Sequence, residues 1–112
     1  MTKTLAAAEA FDLQSLIVPT DEGIASRILF KNGGGNLTLF AFDTGQGITE
    51  HTSPFEAFVM VLDGTMSLTI GGTRVTAAQG TIVRMPANVP HALEAAAKSL
   101  MLLVMLREQA PA

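Results

Sequence analysis

The stretch FEAFVMVLDGTMSLTIGGTRVT, residues 55–76, decides the fold class. It divides into three short runs rich in apolar and β-branched residues, 55–62, 65–70 and 73–76, separated by Asp63-Gly64 and Gly71-Gly72. Such pairs between apolar runs are two-residue hairpin signals, because their residues tolerate the positive φ of the tight turn types. Within 65–70 the alternation is strict, with Met66, Leu68 and Ile70 on one face and Thr65, Ser67 and Thr69 on the other. A period of two marks a strand with one buried and one polar face. Run 55–62 lacks that alternation. Both of its faces are therefore expected to meet apolar surroundings, the interior on one side and a second layer or a partner subunit on the other.

The same punctuation extends in both directions. Further strands are predicted at 24–31, 37–43, 81–85, 91–95 and 100–107, with a glycine-rich loop at 32–36 and a turn at Gln79-Gly80. Many short strands with closely spaced turns predict an all-β sandwich or barrel. The longest apolar run, 100–106, is far shorter than the roughly 20 residues that span a bilayer and reads as a buried strand. Residues 1–17 carry two competing signals: helix propensity in 5–10 and an edge-strand pattern in 13–18. Residues 1–22 are expected to form an N-terminal segment packed on the barrel or on a partner subunit, and 23–112 the barrel itself.

A chain of 112 residues fits one hydrophobic core, since domains centre on about 100 to 150 residues. Apolar residues make up 48% of it and charged residues 15%, against about 25% charged in an ordinary soluble domain. So little charge leaves apolar surface to be covered, which predicts a homodimer joined through sheet edges and the N-terminal segment. Seven basic and ten acidic residues, net charge −3, with no cluster of Lys or Arg, argue against nucleic acid as a partner. The absence of cysteine excludes disulfides, thiolate ligands and a thiol nucleophile. The first ten residues lack the apolar core of a secretory signal, so a cytoplasmic location is expected by default.

The chain has two histidines, His51 and His91. A lone buried histidine is more often structural than a ligand, but their surroundings are specific. Gly45, His51 and Gly64 stand in one ordered spacing, and Gly80, Pro86 and His91 in another. These spacings resemble the two motifs of the cupin superfamily, G-x5-H-x-H-x3,4-E-x6-G and G-x5-P-x-G-x2-H-x3-N. The likeness extends over about residues 35–106, and the runs His51-Thr-Ser-Pro-Phe-Glu-Ala-Phe and Met85-Pro-Ala-Asn-Val-Pro-His91 look like those of small bacterial single-domain cupins. The resemblance implies a double-stranded β-helix, the RmlC-like jelly-roll barrel, with His51 and His91 facing each other in its pocket.

In cupins with complete motifs, three histidines and one glutamate hold a divalent transition metal, in keeping with the preference of imidazole and carboxylate for such ions. Here Ser53 occupies the place of the second histidine and Ala57 that of the glutamate, while Asn88 and Ala95 replace the glycine and asparagine of the second motif. The resemblance thus assigns His51 and His91 as the remaining metal ligands and His51, Ser53, Ala57 and His91 as pocket residues. Strand parity puts Ala57, Val59 and Val61 inside and Glu56 outside, with Glu50 and Glu94 also facing the wrong way. Only a bulge near Ser53-Pro54 would turn Glu56 inward. Ser53 lacks the oriented base and oxyanion donors of a serine hydrolase.

Met60, Met66, Met85, Met101 and Met105 fall in predicted strands, as flexible core filling or as an adaptable lining for an apolar ligand. Phe40, Phe42, Phe55 and Phe58 carry the same two readings, and Arg27, Arg74 and Arg84 are expected at the surface, with parity leaving open an inward Arg84 that would favour an anionic ligand. Three functions follow. The first is a binding module for a small, largely apolar molecule near the two histidines, requiring no cofactor. The second is a metal-dependent enzyme, dioxygenase- or isomerase-like, with a weakly held divalent transition metal on His51 and His91. The third is a structural or regulatory dimer without a ligand.

Overall fold

The computed structural model describes residues 4–107. Among these residues nine strands run in chain order: β1 Ile24–Asn32, β2 Gly35–Phe42, β3 Gly47–His51, β4 Phe55–Asp63, β5 Thr65–Ile70, β6 Thr73–Ala78, β7 Ile82–Met85, β8 His91–Ala95 and β9 Ser99–Arg107. They form two antiparallel sheets, β1-β2-β9-β4-β7 and β3-β8-β5-β6. The chain passes back and forth between the sheets, which is the winding of a jelly roll. The all-β reading and the double-stranded β-helix are both correct.

The core lies between the sheets. Phe42, Ala57, Val59, Val61, Met85 and Met101 from the first sheet meet Met66, Leu68, Ala77, Leu93 and Ala95 from the second. The parity read from the sequence holds: Ala57, Val59 and Val61 are buried, and Met66, Leu68 and Ile70 all belong to this core.

A second apolar cluster forms on the outer face of the first sheet. Leu16 and Ile17 of the N-terminal segment pack there on Leu29, Leu39, Ala41 and Leu100, with Leu5, Phe11 and Leu13 alongside. This covering explains why β9 is apolar on both faces. It reaches only part of the sheet. Beyond it Leu37, Ile82 and Leu106 are exposed and Phe58, Met60 and Val104 half-buried.

Several expectations are corrected. Residues 13–18 form no edge strand; Leu13–Leu16 is a single 3-10 turn whose start is capped by the Asp12 carboxylate, which accepts from the Gln14 N–H. No helix occupies 5–10. The segment 32–36 is a tight hairpin rather than a loop, since β1 and β2 pair to Asn32 and Gly35. Asp63-Gly64 is not a hairpin turn: β4 pairs with β7 and β9, while β5 pairs with β6 and β8. The pair is the corner at which the chain leaves one sheet for the other. Gly64 sits there at φ +82°, and a Cβ on it would strike the Lys98 carbonyl and Ser99. The segment 47–51, outside every predicted strand, is β3. Arg27 is half-buried and donates to the Leu16 carbonyl, 2.9 Å away, so it ties the N-terminal segment to β1 instead of lying free at the surface.

Candidate functional site

His51 is the last residue of β3 and His91 the first of β8. The two strands pair, and the two histidines are direct cross-strand partners. The register shifts between Ile48 and His51. This irregularity lies within β3, not at Ser53-Pro54, and β4 keeps an unbroken register with β9 from Phe55 to Val61.

Two loops hold the pair. The Asn88 N–H donates to the Ser53 carbonyl at 2.8 Å, joining the loop before His91 to the loop after His51. Asn88 adopts φ +63°, a left-handed conformation that asparagine tolerates better than other residues with a Cβ. It holds this left-handed turn at the position where the cupin motif has glycine.

The rings meet nearly edge to face, with centroids 4.3 Å apart and planes at 73°. Their Nε2 atoms are 3.1 Å apart. His51 Nδ1 lies 2.9 Å from the Thr49 carbonyl and His91 Nδ1 3.1 Å from the Val89 carbonyl. A carbonyl only accepts, so each Nδ1 carries its hydrogen and, in neutral rings, both Nε2 atoms present lone pairs. His91 is 4% exposed, whereas His51 stands exposed at the rim. Burial holds the His91 pKa below the ordinary histidine value; the hydrogen bond to Val89 opposes this and the neighbouring His51 adds to it.

Below the pair is a cavity of about 220 Å³ lined by Phe40, Ile48, His51, Ser53, Ala57, Met85, His91, Leu93, Met101, Leu103 and Met105. The structure brings together all four residues singled out in the sequence. Met85, Met101, Met105 and Phe40 also line it, whereas Met60 and Phe58 do not. The sequence reading missed the Thr49 and Val89 carbonyls, since main-chain acceptors have no sequence signature.

Glu56 is turned away. Its carboxylate accepts from Arg84 Nε and, at 3.1 Å, from the Ala87 N–H. The Ala87 N–H and then the Arg84 guanidinium hold its pKa below the usual carboxylate value. Glu50 and Glu94 are exposed. Among the described residues no three His, Cys, Asp or Glu side chains converge on one point. Three protein ligands are the usual minimum of a catalytic metal site, so the donor set found here does not fit a tightly held metal.

A second cavity of about 290 Å³ lies between the N-terminal segment and the barrel, lined by Gln14, Ile17, Asp21, Asp43, Asp63 and Lys98 among others. Phe42 reaches it, but His51, Ser53, Ala57 and His91 do not. Among the described residues no helix is long and apolar enough to cross a membrane.

Residues 38–106 match the sequence model of the cupin domain. A conserved protein of unknown function from Streptococcus pyogenes is 33% identical, over 97% of this chain and 96% of that one, and superposes with a TM-score of 0.89. A cupin superfamily protein from Desulfitobacterium hafniense shares 21% identity over 96% of this chain and 99% of its own, with a TM-score of 0.87. A cupin 2 conserved barrel domain protein from Leptotrichia buccalis is 30% identical over 87% of this chain, TM-score 0.83, though the match spans only 47% of that chain. No curated protein matches. With the two-sheet winding, the spaced glycines and the paired histidines in agreement with that match, this chain belongs to the cupin superfamily.

Proposed function

We propose that this chain is a binding module that takes a small, largely apolar molecule into the barrel beneath His51 and His91. One observation carries this reading: a cavity whose lining is apolar except for Ser53 and the two imidazoles. Binding sites of this kind are concave and mostly apolar, with a few convergent polar groups that orient the ligand. At about 220 Å³ the cavity is smaller than drug-sized pockets, which start near 300 Å³, so its ligand has few heavy atoms. Methionine thioethers suit an adaptable lining.

The test is a thermal-shift screen of small apolar molecules on the wild-type chain and on Ala57→Leu. Ala57 is 2% exposed and lines the cavity, so the larger side chain occupies ligand space. Ligands are expected to stabilise the wild type by RT ln(1 + [L]/Kd) and to leave the variant unshifted. A library without a single hit would overturn the reading.

A second reading, a metal-dependent dioxygenase- or isomerase-like enzyme, rests on the convergence of the two Nε2 atoms, 3.1 Å apart. Its donor set stops at two imidazoles, with Ser53 and Ala57 at the other motif positions. Elemental analysis of protein purified without chelators decides between them. Stoichiometric transition metal that disappears in the His51→Ala, His91→Ala double variant would favour the enzyme.

We also propose that the chain forms a homodimer through the part of the outer face that the N-terminal segment leaves open. Cross-strand neighbours there form two apolar rows: Leu37, Val104 and Phe58 in one, Met60 and Ile82 in the other. Ile82 is 61% exposed.

A further inference from the structure

The hydrogen count of the histidine pair limits what the pocket can hold. Three close contacts join its four nitrogens to their surroundings and to each other: Nδ1 to Thr49, Nδ1 to Val89, and Nε2 to Nε2. Each carbonyl contact needs a hydrogen on its Nδ1, because a carbonyl oxygen only accepts. Two neutral imidazoles carry two hydrogens, and both belong on the carbonyls. The Nε2 atoms therefore present two lone pairs to the same space.

The rest of the lining narrows the choice. Among the described residues it contains no Lys or Arg to hold a carboxylate or phosphate, and no Asp or Glu to balance an ammonium. A charged ligand would lose its hydration in apolar surroundings without a partner, which is costly. A ligand bearing only acceptors would face two more acceptors. What fits is a neutral group that donates twice from adjacent atoms, with a spacing close to the 3.1 Å between the nitrogens.

Building on the binding reading above, we infer that the pocket recognises a small neutral molecule with two hydroxyls on neighbouring carbons and an otherwise apolar body. Each hydroxyl donates to one Nε2. Four hydrogens then serve four contacts, and both Nδ1–H bonds to Thr49 and Val89 persist. The carbon skeleton lies against Phe40, Met101, Leu103 and Met105.

The test uses protein with 13C-labelled methionine methyls, in the presence of a chelator, titrated with 1,2-dihydroxybenzene and with 1,2-difluorobenzene, which has a similar shape but no donors. The Met85, Met101 and Met105 methyls are expected to shift with both. The diol should bind at least about tenfold more tightly, since each added hydrogen bond contributes about 1 kcal/mol. In His51→Ala, a change at an exposed position, most of that advantage should disappear. Equal affinities would overturn the inference while leaving the binding reading in place. Methyls that respond to neither probe would overturn both. Diol binding that appears only after the chelator is replaced by zinc would assign recognition to a bridging ion and overturn the inference.

Discussion

Burial of His91 on the inner side of β8 makes its charged form unfavourable, and the adjacent His51 ring works in the same direction against the hydrogen bond to Val89. The unfolded chain takes up this proton near the ordinary value of 6.5, and the folded chain only at lower pH. Above 6.5 both states are neutral and the group contributes nothing to the pH dependence. As pH falls below 6.5 the unfolded state binds more protons, so stability declines until the folded value is passed. Chemical denaturation at a series of pH values should show this decline in the wild type and a flatter profile in His91→Gln. At this scale the sequence was legible wherever a motif residue had a steric role. It was silent on the imidazole tautomers, which depend on carbonyls positioned by the β3–β8 pairing. Asn88 is instructive: read as a departure from the motif, it holds a left-handed turn and the bond to Ser53.

Strands with strong alternation or long apolar runs, β4, β5 and β9, were recognisable because one or both of their faces are buried. β3 was not. Its residues GITEH are exposed except for half-buried Ile48, so there is no apolar period to detect, and pairing with β8 alone makes it a strand. The Asp63-Gly64 corner shows a different limit. A hairpin and a sheet-to-sheet corner demand the same positive φ, and the local sequence does not distinguish them. Gly64→Ala adds the cost of a left-handed backbone to a collision with Lys98 and Ser99. Equilibrium urea unfolding should show a loss of about 2 kcal/mol or more. Gly72, at φ +84° but with no atom within 4 Å of a would-be Cβ, should lose only the backbone share, about 1 kcal/mol.

The two apolar layers of the whole molecule make separate predictions. Leu39 is fully buried in the cluster that joins the N-terminal segment to the outer face of the first sheet. Leu39→Ala should therefore cost about 2–5 kcal/mol in denaturant unfolding. It should also raise amide exchange in 13–17, where Leu16 and Ile17 lose their support. On the open part of the same face, Ile82→Lys places a charge in the proposed dimer contact without touching the core. Analytical ultracentrifugation should give a dimer for the wild type and a species of 11.7 kDa for the variant. A wild type that sediments as the monomer would refute the contact.

By itself, the sequence determined the all-β class, the jelly-roll family and the identity of the inward residues on β4 and β5, because alternation and turn glycines are local consequences of strand geometry and burial. Only the tertiary structure decided that Gly64 turns a corner, that β3 exists, that Glu56 belongs to Arg84 and Ala87, and that two rings forty residues apart meet nitrogen to nitrogen. Those outcomes depend on which strands become neighbours. That is set by the packing of both sheets at once, and no window of the chain contains it.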